Sequence, residues 1–198
     1  MARHKEFDPA VALDTAMRVF WRSGYAHTST EDLVTELGIA RASLYGTYGS
    51  KRGLYLAALD RYLTGGGDPA QLVASAASGL DAVRALLESA ARQPDQGLPP
   101  GCFSVNATVE HGDTDPEIGA RLERNRERME TVFRDALLRA RAEGDLDTRL
   151  CDDSEISSTA TLLTTVLNGL QVLSRAGADQ RGRIARTVES ALAGLRAR

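Results

Sequence analysis

The stretch GIARASLYGTYGSK, residues 38–51, places Leu44, Tyr45 and Tyr48 at helical spacing among three glycines and several small polar residues. Glycine and small polar residues weaken a helix and bury little, so this is poor material for a helix meant only to fill a core. Ile39, Leu44 and Tyr48 can hold such a helix down. Arg41, Ala42, Ser43, Tyr45, Gly46 and Thr47 are left on its other side. Just upstream, Thr28 or Ser29 can cap a helix, and with Ser29 as cap Asp32 falls three residues on, a capping-box variant. That helix carries Leu33, Val34 and Leu37 and stops at Gly38. Two short helices joined by a glycine-containing turn form a helix-turn-helix, here at about residues 29–48.

The chemistry of the outward face suits DNA. The major groove is about 12 Å wide and admits one helix, whose N-terminal residues meet base edges. Small residues at 42, 43 and 46 let the backbone approach. Arg41 can pair with guanine O6 and N7, a contact giving about 1–3 kcal/mol of discrimination. Hydroxyls of Thr28, Ser29, Tyr45 and Thr47 suit phosphate oxygens, which position rather than specify. Lys51, at a helix start, adds a cation where free backbone N–H groups already favour phosphate. A helix, glycine turn and helix also occur in all-α proteins that never meet DNA, including enzymes and helical adaptors. No nucleophile elbow, phosphate loop or HExxH motif points to an enzyme.

Residues 24–59, GYAHTSTEDLVTELGIARASLYGTYGSKRGLYLAAL, resemble the N-terminal domain of the TetR family of transcriptional repressors. The resemblance rests on Thr28-Ser29, Gly38-Ile39, Leu44-Tyr45, Tyr48 and Lys51, and covers about the first third of the chain. It implies DNA contact through Thr28, Ser29, Arg41, Ala42, Ser43, Tyr45, Thr47, Tyr48 and Lys51. Two departures stand out. Ala40 occupies the position where the family commonly has Ser or Thr capping the recognition helix. Thr47-Tyr48 stands where it often has His-Phe. An uncapped helix start typically costs about 1 kcal/mol, and a phosphate can supply the missing acceptor.

The remaining sequence reads as helix throughout. Asp8-Pro9 starts a first helix running to Gly24, and Ser50 caps a fourth through Leu63. TGGGDP, 64–69, is the clearest break. A single long helix is expected from there to about residue 92, with Leu72, Val73, Ala76, Leu80, Val83 and Leu87 as its stripe. QPDQGLPPG, 93–101, reads as a loop and Cys102–Glu110 as a short apolar helix. Asp115-Pro116 opens a long charged helix to about 143, followed by helices at about 154–176 and 179–197. The expectation is an all-α protein: a three-helix helix-turn-helix domain at 1–63 and a helical ligand-binding and dimerisation domain at 64–198.

Apolar residues make up 42% of the 198, enough for a buried core. No run approaches the roughly 18 uninterrupted apolar residues of a membrane span, and MARHKEFDPA is no signal peptide. A soluble cytoplasmic protein is expected, with no membrane partner. The net charge is −3, with eight Lys/Arg against seven Asp/Glu in residues 1–62, so the N-terminal part is slightly basic and the remainder acidic. Two cysteines are too few for a disulfide scaffold. His4, His27 and His111 have no ligand spacing, so no metal or cofactor is expected.

For the C-terminal part the resemblance implies a homodimer on a roughly palindromic operator, half-sites about 34–36 Å apart. It also implies a small-molecule effector between central helices. Ile156, Leu163, Leu167, Leu170, Ile184, Val188, Leu192 and Leu195 would line the dimer interface, or would simply pack inside one subunit. Cys102, Phe103, Asn106 and Glu110 would face Thr161, Thr165 and Asn168 across an effector pocket, or form a polar seam. Cys102, at a helix N-terminus, is either a redox- or electrophile-sensing thiol or a small buried side chain.

Overall fold

The computed structural model describes residues 7–65, 68–91, 98–176 and 180–197. Parts of the glycine break and of the loop expected at 93–101 lie outside them. The described residues form ten α-helices: α1 Pro9–Ser23, α2 Thr30–Leu37, α3 Arg41–Tyr48, α4 Lys51–Gly65, α5 Pro69–Ser75, α6 Gly79–Glu88, α7 Phe103–His111, α8 Pro116–Glu143, α9 Asp153–Arg175 and α10 Arg181–Leu195.

Their starts follow capping chemistry. Asp8, Asp68 and Asp115 each accept from backbone N–H groups just inside a helix that begins with proline. Ser29 and Asp32 form the full reciprocal capping box, Asp32 N to Ser29 Oγ at 3.0 Å and Ser29 N to Asp32 Oδ2 at 2.8 Å. Gly38 ends α2 at φ 64°, in the left-handed region that a Cβ makes costly.

Two apolar clusters organise the chain. The first packs α1 to α4 around Phe20, Leu33, Leu44, Leu54, Tyr55 and Leu59, and is completed by Phe103, Ala107, Ile118 and Leu122 from α7 and α8. The second packs α6, α8, α9 and α10 around Leu87, Phe133, Leu137, Ile156, Leu163 and Val188. The N-terminal head and the helical body therefore share core. Arg52 bridges to Asp115 and Glu117, and Arg121 to Asp60, tying α4 to α8 along their lengths.

The single helix expected over about 69–92 is instead two helices with a break at 76–78. The apolar stripe is continuous, but α8 imposes the break from outside. Arg139 donates to the carbonyls of Val73, Ala76 and Ala77 at 3.2, 3.0 and 2.9 Å, terminating α5. Glu143 accepts the Gly79 N–H at 2.7 Å, and Ser78 caps α6 through Asp81 N. Gly79 lets α6 reach α8, because a Cβ there would sit 2.3 Å from Ala140 N.

The eight residues expected at a dimer interface are all buried within the single chain, at 0–6% exposure. α9 and α10 use their apolar sides to complete the subunit's own core, so these side chains are not available to a second copy. α9 is long and apolar enough to satisfy the length and composition of a membrane span, but it packs against α8 and leaves Ser158, Thr161, Thr165 and Asn168 on its exposed side.

Gly79→Ala should destabilise the fold by about 1–3 kcal/mol in urea unfolding, despite alanine's higher helix propensity, because the added methyl meets α8 backbone. Unchanged stability would mean that α6 and α8 are farther apart than described.

Candidate nucleic-acid interface and effector cavity

α3 lies on the outside of the head, held from beneath. Leu44 is fully buried, and Ile39 is 7% exposed. Tyr48 donates its hydroxyl to the Pro9 carbonyl at 2.9 Å and packs on the head's core. The residues put Tyr48 beneath the helix and the resemblance put it at the DNA face; its hydroxyl fastens the end of α3 to the start of α1, which agrees with the first.

Arg41, Ala42, Tyr45 and Gly46 form the exposed surface of α3, with Ser43 and Thr47 half-exposed beside them. Nothing lies near Gly46, so this surface is open to close approach. Ala40 gives α3 no side-chain cap, and the first N–H groups of a helix then have no intrahelical acceptor. Arg41 donates to Glu31 at 2.9 Å and lies 5.9 Å from the centre of the Tyr45 ring. Tyr45's hydroxyl pKa is lowered, first by hydrogen bonding with Thr30 and then with Arg41. Thr30, Glu31, Arg41 and Tyr45 thus make one polar group spanning α2 and α3. Glu31 gave no signal in the sequence because its partner is on the other helix.

Two further expectations change. Thr28 is 1% exposed and donates to the Gly24 carbonyl at 2.6 Å, so its hydroxyl closes the turn between α1 and α2 and does not face outward. Lys51 rests over the Tyr25 ring, 4.1 Å from Nζ to the ring centre, a cation–π contact available until a stronger anion displaces it. Ser29 remains exposed, with its oxygen engaged by the capping box.

Behind the head lies a cavity of about 700 Å³, walled by α1, α4, α5, α6, α7, α8 and α9. Of the seven residues expected in an effector pocket, it contains Cys102 and Asn168. Phe103 is buried in the head's core. Asn106 donates to the Trp21 carbonyl at 3.2 Å. Glu110 accepts the Tyr25 and Ala26 N–H groups at 2.8 and 2.6 Å, holding the α1–α2 turn. Thr161 and Thr165 lie on the exposed face of α9, with Thr165 donating to the Thr161 carbonyl. The cavity is formed instead with Trp21, Tyr62, Leu72, Asn125, Met129 and Gln171. These come from five helices, α1, α4, α5, α8 and α9, and no local pattern joins one helix to another.

Cys102 is 5% exposed. The Tyr62 hydroxyl donates to its sulfur at 3.1 Å, and Ser104 Oγ lies 3.0 Å from it. Burial raises the Tyr62 pKa, so the hydroxyl stays protonated and remains a donor.

The model of bacterial regulatory proteins of the tetR family matches residues 12–58, and that of the tetracycline repressor-like C-terminal domain matches 79–192. The chain is 36% identical over 183 residues to the uncharacterised HTH-type transcriptional regulator YezE of Bacillus subtilis (strain 168), covering 90% of this chain and 92% of that one. It is 30% identical over 180 residues to the HTH-type transcriptional repressor ComR of Escherichia coli (strain K12), covering 89% and 84%. A solved structure of a cysteine mutant of the TetR family regulator CifR, complexed with 26-bp double-strand operator DNA, superposes with TM-score 0.80 at 33% identity, covering 98% of this chain and all of that one.

Asp32's carboxyl is held below the ordinary aspartate value, first by the Ser29 backbone N–H and then by the Ser29 hydroxyl. A depressed folded-state pKa contributes stability above the unfolded value, and that contribution is lost as pH falls through the folded one. Ser29→Ala should cost about 1 kcal/mol at neutral pH, and NMR titration should show the Asp32 pKa rising only part of the way toward ordinary, because the backbone N–H remains. An unmoved Asp32 pKa would refute the hydroxyl's share in the reciprocal cap.

Proposed function

Because the chain belongs to the TetR family of bacterial regulatory proteins, we propose that it is a homodimeric repressor that leaves a palindromic operator when a small molecule fills the cavity. The observation that carries this reading is the open, small-residue face of α3, with Arg41 at its N-terminal end. Residues 1–63 would read double-stranded DNA in the cytoplasm, and residues 64–198 would pair two copies and bind the effector.

Arg41 exchanges Glu31 for a guanine edge at little cost, since exposed ion pairs contribute only about 0–1 kcal/mol. Ser43, Tyr45 and Thr47 offer hydroxyls beside it, and the start of α3 offers N–H groups to a phosphate. Lys51 can leave the Tyr25 ring for the backbone. The resemblance to the repressor ComR and to operator-bound CifR supports repression and DNA as the partner.

Pairing falls to the outward faces of α9 and α10, since their inward faces are consumed. On α9, Ser158, Leu162, Thr165, Gly169 and Val172 recur every three or four residues along one exposed side. Leu162 and Val172 are 60% and 56% exposed, large apolar side chains that a partner helix would cover. Small residues between them allow close helix approach.

Two experiments check this reading. Arg41→Ala should weaken operator binding at least tenfold and relax preference at one base pair per half-site, read by selection from random DNA. Unchanged affinity and preference would overturn base reading by Arg41. Leu162→Glu should shift the protein from dimer to monomer in analytical ultracentrifugation and lower operator affinity. A variant that stays dimeric would place the interface elsewhere.

A further inference from the structure

Polar contacts join the head to the body at several places, and they differ in what they hold. Asn106 and Arg175 donate to the Trp21 and Arg22 carbonyls at the end of α1. Arg52, Arg121 and Arg128 join α4 to α8 or its cap. Residues 24–50 comprise the turn after α1 and the two helices beyond it. Among the described residues, the hydrogen bonds and ion pairs that reach them from the body are the two accepted by Glu110. The core shared with Phe103, Ala107, Ile118 and Leu122 resists separation of head from body, but apolar burial is non-directional.

The turn passes the direction of those two bonds on. Tyr25 and Ala26 give their N–H groups to the two carboxylate oxygens at 2.8 and 2.6 Å. The Tyr25 ring also meets His111 of α7 edge to face, centroids 5.3 Å apart. Lys51 Nζ lies over the same ring. Thr28 closes the turn onto the Gly24 carbonyl, and Ser29, the next residue, caps α2. Gly38, Ile39 and Ala40 alone separate α2 from α3. A turn closed in this way carries a shift of the carboxylate into α2, and α2 carries α3.

We infer that Glu110 is a positioning residue for operator binding: its carboxylate fixes the angle at which each copy presents α3, and so the half-site spacing the pair accepts. This rests on the reading of the chain as a dimer on a palindromic operator and adds the residue that sets its geometry. Glu110 acts through the turn, without touching DNA. Its carboxylate offers an acceptor to each N–H, whereas a carboxamide offers one oxygen and turns an NH₂ toward the second donor. One base pair moves a half-site by roughly 3.4 Å along the duplex and rotates it about the axis. Two firmly held heads therefore accept one spacing.

Sites selected from random DNA by the wild-type protein, Glu110→Gln and Arg52→Gln test this. Arg52→Gln breaks the pairs with Asp115 and Glu117, loosening head from body without altering the turn. The wild type should select paired half-sites at one spacing. Glu110→Gln should select the same half-site bases at spacings spread over one base pair to either side. It should bind the wild-type site at least fivefold more weakly, and its Tyr25 and Ala26 amides should exchange hydrogen at least tenfold faster. Arg52→Gln should keep the wild-type spacing.

A wild type that selects no paired half-sites overturns the dimeric-operator reading and this inference with it. Where the wild type does select them, three results overturn the inference alone. Glu110→Gln keeps both spacing and affinity, it loses base preference within the half-site along with spacing, or Arg52→Gln broadens the spacing as much. Should Glu110→Gln fail to fold, Glu110→Asp decides by the same selection, since it keeps the charge but falls one methylene short of the turn. An unbroadened spacing in that variant overturns the inference.

Discussion

The carboxylate of Glu110 sets the geometry of the whole head. It accepts two consecutive backbone N–H groups, from Tyr25 and Ala26, in the turn that leads from α1 into α2. Bonds from neutral donors to a charged acceptor are stronger than neutral ones, and two together fix a turn in orientation as well as in place. Gly24 allows the approach, with φ 79° and a hypothetical Cβ only 3.1 Å from the carboxylate. Tyr25 then sits in an aromatic group with Phe20, Tyr55 and His111. α2 begins a few residues later, and α3 rides on α2, so the angle at which Arg41 is presented depends on a side chain in the body.

That side chain is at the far end of α7 from the cavity. Cys102 and Ser104 line the cavity at the helix start, and Glu110 grips the turn near its end. Nine residues span roughly 13 Å, a short rigid strut. Phe103 and Ala107 seat it in the head's own core between those ends. Displacement of the start of α7 by a ligand would therefore reach the turn without passing through a loop. Trp21 provides a second contact, since its carbonyl is bonded to Asn106 on the same helix. Head and body meet here through groups that point at both the cavity and the turn.

Much of this architecture was legible locally. Asp8-Pro9, Ser29 with Asp32, Asp115-Pro116 and Gly38 mark helix ends by chemistry contained within four residues, and the structure uses each of them. What a local pattern cannot show is direction or partner. The stripe through Leu72 to Leu87 looks unbroken, yet Arg139 and Glu143, some 60 residues away, divide it. Thr28 has the hydroxyl expected of a phosphate ligand but turns it onto Gly24. The apolar faces of α9 and α10 read equally well as an interface or a core, because periodicity reports that a face is buried and not against what. Glu110 and Trp21 were hidden for the same reason: their partners lie 84 or 85 residues off in sequence.

The charge pattern of the head bears on how it would hold DNA. Its arginines are largely answered by carboxylates: Arg22 by Glu36, Arg41 by Glu31, Arg61 by Asp14, and Arg52 by Asp115 and Glu117. Such a surface does not attract polyanions indiscriminately. Each exposed pair is weak enough to open for a phosphate or a base edge, but the carboxylate left behind then repels the backbone unless geometry keeps it clear. On the proposed reading, Glu31 would make Arg41 selective: releasing the guanidinium would be favourable only where a guanine can take both of its donors. A head built in this way gives up non-specific affinity, the part that depends most on salt. It concentrates what remains in the fit of α3, whose angle the Glu110 carboxylate sets.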